Sequence, residues 1–123
     1  MIEIYEAIRI HEVLIEKFGG CPGIRDLSLL KSALSRPYQT FDQKDLYSSP
    51  IEKSAALIES ILINHPFIDG NKRIGYTLMR LLLMDYGYDI SATQDEKYDF
   101  VIKIAKGEYR FTDIVDWLKN KME

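Results

Sequence analysis

The sequence predicts a single all-α domain of about six helices, spanning residues 1–123. Three observations carry that expectation. Apolar residues recur at helical spacing along almost the whole chain. Capping residues, or Gly and Pro, stand where the periodic segments begin and end. A length of 123 residues suits one compact domain, and no repeat, linker or low-complexity tract divides it.

The first helix is expected over residues 3–18, with Ile4, Ala7, Ile8, His11, Leu14, Ile15 and Phe18 on one stripe. Gly19 and Gly20 end it, and Pro22-Gly23 prolongs the turn. Asp26 is the expected N-cap of a short second helix carrying Leu27, Leu29, Leu30 and Leu34. Residues 36–48 break the periodicity. This polar run with interleaved aromatics predicts a short hairpin or an irregular flap.

Ser49-Pro50-Ile51-Glu52 then starts a third main helix. Serine caps, proline fits the first helical position, and glutamate sits where a capping box needs it. Ile51, Ala55, Ile58 and Leu62 form its stripe, and Pro66 disfavours helical geometry at His65. A fourth helix from about Asn71 to Tyr86 is apolar nearly all round, which predicts the central buried helix. Thr93 and Glu96 open a fifth helix that runs to about Lys106, and Thr112 is the expected cap of a sixth.

Composition narrows the class of function. Hydrophobic residues are 46% and charged residues 28%, a globular balance that argues against disorder. A net charge of −3 gives no general pull toward nucleic acid, and no direct nucleic-acid binding is expected. Cys21 is the single cysteine, so no intramolecular disulfide forms and no activating partner marks it as a nucleophile. The opening residues carry early acids and no basic segment, and no apolar stretch is long enough to span a bilayer. The expectation is a cytoplasmic protein with no membrane partner.

The chemistry concentrates in His65-Pro66-Phe67-Ile68-Asp69-Gly70-Asn71-Lys72-Arg73. A helix that begins after Gly70 presents unpaired backbone N–H groups and partial positive charge, which together attract phosphate. Lys72 and Arg73 place two cations in its first turn, against the usual preference for acids there, so an anion is expected at the site. Arg73 suits bidentate phosphate contact, and Asp69 suits a Mg²⁺ ion that bridges phosphates. Histidine is the residue type whose proton exchange suits neutral pH, so His65 suits a general base. Together these describe phosphoryl or nucleotidyl transfer. Each residue also has an ordinary reading: a helix-ending histidine, an N-cap aspartate, a turn glycine, two solvated cations. His11 reads as a satisfied boundary histidine, the alternative being that it lines the site, and Arg25 with Asp26 as a cap and local ion pair. Trp117 and Tyr109 read as packing residues.

The string HPFIDGNKR resembles the Fic/Doc motif, in which HPFx(D/E)GN is followed by Gly-Arg in typical Fic proteins and by Lys-Arg in Doc-like, death-on-curing members. Upstream, Gly19-Gly20, Gly23-Ile24-Arg25-Asp26, Ser32-Ala33-Leu34, Arg36-Pro37, Thr40-Phe41 and Asp45-Leu46-Tyr47 resemble the Doc lead-in. The resemblance implies a compact Fic/Doc-type helical bundle with a flap before the third main helix. It implies that His65 takes a proton from a hydroxyl of the target protein and that Asp69 binds Mg²⁺. Gly70 and Asn71 would help form an anion hole, Lys72 and Arg73 would contact the phosphates of ATP, and the flap with Thr40 and Phe41 would align the target.

Two departures from the typical Fic pattern bear on the reaction. Lys72 stands where the second motif glycine does, and Tyr76 stands where a second arginine does. Both favour the Doc-like reading, transfer of the γ-phosphoryl of Mg-ATP to a Ser or Thr hydroxyl, over AMP transfer. The resemblance suggests elongation factor Tu as the target. The inhibitory string Ser/Thr-x-x-x-Glu-Gly/Asn does not occur; the nearest, Ser48 to Glu52, is followed by Lys53. Restraint of a toxin would then come from an antitoxin protein in trans. An AMP transferase using the same His65 and Asp69, or an inactive binding module on the same fold, are the alternatives.

Overall fold

The computed structural model describes residues 1–122. Six helices follow in order: α1 (Ile4–Phe18), α2 (Leu27–Ser35), α3 (Pro50–Asn64), α4 (Asn71–Asp85), α5 (Gln94–Ala105) and α6 (Phe111–Lys121). Between α2 and α3, a single 3-10 turn at Arg36–Tyr38 leads into a hairpin of β1 (Thr40–Phe41) and β2 (Lys44–Asp45). Thr40 pairs with Asp45 and Phe41 with Lys44. The turn residues Asp42 and Gln43 both have positive φ, 52° and 65°, the geometry of a two-residue hairpin that follows strand twist.

The helix starts follow local chemistry. The Asp26 carboxylate accepts from the Leu29 N–H, and the Ser49 hydroxyl accepts from the Glu52 N–H. Thr93 and Glu96 form a reciprocal capping box. The sixth helix departs from expectation. It begins at Phe111, not after Thr112, because the Asp113 carboxylate accepts from the Arg110 N–H and closes the turn one step earlier.

The central buried helix is α3, not α4. Every residue from Lys53 to Leu62 is buried. On α4, Lys72, Arg73, Arg80, Leu81 and Met84 are exposed. The reason is position: α3 packs against α2, α4, α5 and α6, so it has little face left for solvent. Gly75 lets α4 come close, since a Cβ there would lie 3.2 Å from a Leu62 methyl carbon.

The core has two parts that share α3 and α4. One, around Ala7, Leu30, Leu57, Phe67, Ile74 and Leu78, joins α1 and α2 to the middle pair. The other, around Ile58, Met79, Leu83, Phe100, Ile104 and Leu118, joins α5 and α6 to it. Phe100 stacks on Trp117 with ring centroids 3.8 Å apart, so Trp117 is a packing residue as expected. The buried Glu59 carboxylate of α3 accepts from Arg36 and from Arg110, which ties the 3-10 turn and the start of α6 to the centre. No described helix is long and apolar enough to cross a membrane.

Candidate active site

The loop from His65 to Gly70 joins the two middle helices, and its shape is fixed from both sides. His65 is the C-cap of α3 in the left-handed conformation, φ 49° and ψ 61°, and its side chain is exposed. A non-glycine residue in that region is strained and is held there by its surroundings. Here the surroundings are Arg25, which donates from Nε to the His65 carbonyl at 2.6 Å and from Nη2 to the Asn64 carbonyl. The Pro66 carbonyl accepts from the N–H groups of both Arg25 and Asp26. The Ile68 N–H donates to the Gly23 carbonyl. Arg25 therefore braces the loop, where the sequence suggested an ion pair with Asp26.

Phe67 is fully buried and anchors the loop in the core. The carboxamide of Asn71 closes a ring with its backbone: Oδ1 accepts from the Phe67 N–H at 3.0 Å, and Nδ2 donates to the Phe67 carbonyl at 2.9 Å. That side chain is committed to bracing the loop, which leaves Asn71 its backbone N–H to offer at the helix mouth.

His11 of α1 reaches the same loop. It is buried, its ring stacks on Phe67 at 3.9 Å, and its Nε2 lies 2.8 Å from the Asp69 carbonyl oxygen. This contact requires the tautomer with the proton on Nε2. The sequence hinted at it only through a polar residue in the middle of an apolar stripe.

Asp69 is exposed, and its carboxylate is held by two backbone donors. Oδ2 accepts from the Cys21 N–H at 3.0 Å and Oδ1 from the Gly70 N–H at 2.8 Å. The Cys21 bond first, then the Gly70 bond, holds this carboxyl below its usual range, so it is ionised at neutral pH. The Cys21 bond exists because Gly20 has φ +115° and no Cβ; a Cβ would sit 2.8 Å from Asp69 Oδ2.

Gly70 is the N-cap of α4 at φ 76°, and no side chain caps the helix. The N–H groups of the first turn are thus available at a mouth that also carries Lys72 and Arg73. Arg73 leans over the ring of Phe18, its guanidinium carbon 4.2 Å from the centroid. Asp69, Gly70, Asn71, Lys72 and Arg73 all line one cavity of about 450 Å³. His65 is not among its lining residues. It stands outside, at the α3 end of the loop.

The far wall of the cavity is one the sequence did not announce. It is built by Tyr76 and Thr77 of α4 and by Gln94, Lys97, Tyr98, Val101 and Ile102 of α5 or its start. The Tyr76 hydroxyl is buried with no hydrogen-bond partner among the described residues, and burial pushes its pKa up. Tyr98 stands exposed on this wall, and that exposure is a property only the tertiary structure shows.

With this geometry in place, comparison with known proteins is decisive for the family. The model of the Fic/DOC family matches residues 2–83. The chain belongs to the Fic/DOC family. It is 37% identical over 78 residues to Toxin Doc of Mycolicibacterium smegmatis, a match that covers 63% of this chain and 60% of that protein. It is 45% identical over 53 residues to a Fido domain-containing protein of Dictyostelium discoideum, covering 40% of this chain and 37% of that one. It is 36% identical over 93 residues to the protein adenylyltransferase Fic of Drosophila yakuba, covering 72% of this chain and 18% of that one. The chain therefore spans less than two thirds of each of these relatives. The Fic/DOC match includes the whole His65–Arg73 loop and stops before α5, so the wall formed by Lys97 and Tyr98 lies beyond it.

Proposed function

We infer that this Fic/DOC chain is a protein-modifying transferase that moves the γ-phosphoryl group of ATP onto a Ser or Thr hydroxyl of another protein. One observation carries the reading. An ionised carboxylate, an uncapped helix N-terminus and two cations converge on a single cavity.

The parts have complementary tasks. The N–H groups at the start of α4 suit the phosphate oxygens, and Lys72 and Arg73 offset their charge. Asp69 fits Mg²⁺: it is ionised and exposed, and each oxygen spends one acceptor site on a backbone N–H and keeps another. Bound there, the metal would neutralise charge on the phosphates. The apolar faces of Tyr98, Val101 and Ile102 suit the nucleoside. His65, exposed at the end of α3, accepts the proton of the acceptor hydroxyl. The hydroxyl oxygen forms its bond to the γ-phosphorus as the bond from that phosphorus to the bridging oxygen breaks. ADP leaves with that electron pair.

Lys72 and Tyr76 support phosphoryl transfer over AMP transfer, since they add a cation to the cradle and replace an arginine with a phenol. Similarity to a protein named Toxin Doc supports a toxin with an antitoxin partner and a protein target; elongation factor Tu is the target that the Doc-like motif suggests. Similarity to a protein adenylyltransferase supports AMP transfer as the second reading.

A paired transfer assay separates them. The protein with Mg²⁺ is incubated with a bacterial lysate and either γ-labelled or α-labelled ATP, beside a His65→Ala control. Label from the γ position alone, absent in the control, is expected. Label from the α position makes the chain an AMP transferase. Label that survives His65→Ala removes the general-base role.

A further inference from the structure

Lys53 is the unusual charge in this protein. It lies on the most buried stretch of α3, with its side chain 8% exposed. An ammonium removed from water is strongly penalised unless it is paired and hydrogen-bonded. Its partners all belong to the hairpin stem. Nζ donates to the carbonyl of Pro37, which precedes β1, and to the carbonyl of Tyr47, which follows β2. It also pairs with the Asp45 carboxylate of β2 at 3.3 Å, and lies 5.6 Å from the ring centroid of Tyr38. One cation therefore holds both legs of the hairpin.

The hairpin needs such a hold. Each strand has only two residues, and both are exposed. A two-stranded ribbon of that size is not stable by itself. A second clasp lies six residues further along α3, where Arg36 donates to the Tyr47 hydroxyl at 3.0 Å and pairs with Glu59 at 2.8 Å. The same α3 that carries these clasps carries His65 at its C-cap. From Lys53 to His65 is 12 residues, or about 18 Å along a rigid helix axis.

We propose that Lys53 is the positioning residue of the flap: by clasping both legs of the hairpin to α3, it fixes the flap, and the protein segment the flap receives, at a set distance from His65. The hairpin half of this rests on geometry alone. The acceptor half rests on the phosphoryl-transfer reading above.

The test uses Lys53→Met, which keeps the chain length and removes the charge, with Lys53→Arg as the conservative variant. Two quantities are read. The first is exchange of the Leu46 amide, which donates to the Gln39 carbonyl across the stem at 2.9 Å. The second is labelling of lysate protein by γ-labelled ATP as the lysate is diluted. Lys53→Met is expected to speed Leu46 exchange at least tenfold. It should raise the half-saturating lysate concentration at least fivefold, while the plateau rate and the Kd for Mg-ATP stay within about twofold. Lys53→Arg is expected to recover most of both losses. Asp45→Asn, at a carboxylate 56% exposed, loosens one leg without touching the core. It should move both readouts the same way by less, at an unchanged melting temperature. Unchanged Leu46 exchange in both Lys53→Met and Asp45→Asn overturns the clasp. Faster exchange with unchanged half-saturation overturns the link to the acceptor. An unlabelled lysate with wild-type protein sinks the phosphoryl-transfer reading and the acceptor half with it, while the exchange comparison still decides the clasp.

Discussion

The Nε2 of His11 lies 2.8 Å from the backbone oxygen of Asp69, across 58 residues of sequence. The contact joins α1 to the loop whose carboxylate is proposed to bind Mg²⁺. His11→Leu keeps an apolar side chain against Phe67 and removes the donor. A hydrogen bond of this kind contributes about 1 kcal/mol. The expected outcome is a drop in stability of about that size, with a several-fold higher Mg²⁺ requirement for ATP binding. His11→Gln, which keeps a donor, should restore part of the metal response. A Mg²⁺ titration that is identical in all three proteins would show that the contact serves packing alone.

Gly20 controls the Asp69 carboxylate from the other side. At φ +115° an alanine is strained, and its Cβ meets Oδ2 at 2.8 Å. Gly20→Ala is expected to destabilise the fold by about 1–3 kcal/mol and to weaken Mg-ATP binding more than metal-free ATP binding. Equal weakening of the two, by calorimetry, would place the damage away from the carboxylate.

Tyr98 tests the α5 wall. It is 69% exposed, so Tyr98→Ala should leave stability within about 0.5 kcal/mol. Loss of a stacking ring is worth about 1–3 kcal/mol per base, so the Kd for ATP is expected to rise roughly fivefold or more. An unchanged Kd would remove α5 from the nucleotide site and leave Asp69 to Arg73 as the whole of it.

Glu96 gives the fold a contribution that depends on pH. Its carboxylate is lowered from 4.5 to about 2, first by Lys121 at the end of α6 and then by the Thr93 N–H. A carboxyl whose pKa is depressed by folding binds its proton less readily in the folded state. Its stabilisation is therefore fully present above about pH 4.5 and is lost as pH falls toward 2. The melting temperature of Glu96→Gln should lie below that of the wild type at pH 6 and converge on it by about pH 2. Parallel melting curves across that window would contradict the assignment.

The sequence by itself determined much of this protein. The periodic apolar positions and the caps at Asp26, Ser49 and Thr93 locate the helices, because those signals act within one or two turns of chain. HPFIDGNKR concentrates the proposed chemistry in nine consecutive residues, so that constellation is also local and legible. Only the tertiary structure decided what crosses between segments. It made α3 rather than α4 the central helix, because burial depends on how many neighbours surround a helix as well as on how apolar it is. It brought His11, Cys21 and Arg25 onto the loop: the side chains of His11 and Arg25 donate to loop carbonyls, and Cys21 donates from its own N–H, those carbonyls and that N–H being backbone groups that any residue type provides. It set α5 opposite the mouth of α4, and it clasped the hairpin to Lys53. None of these contacts has a spacing in sequence, since each is fixed by the packing of helices whose order along the chain does not state which faces will meet.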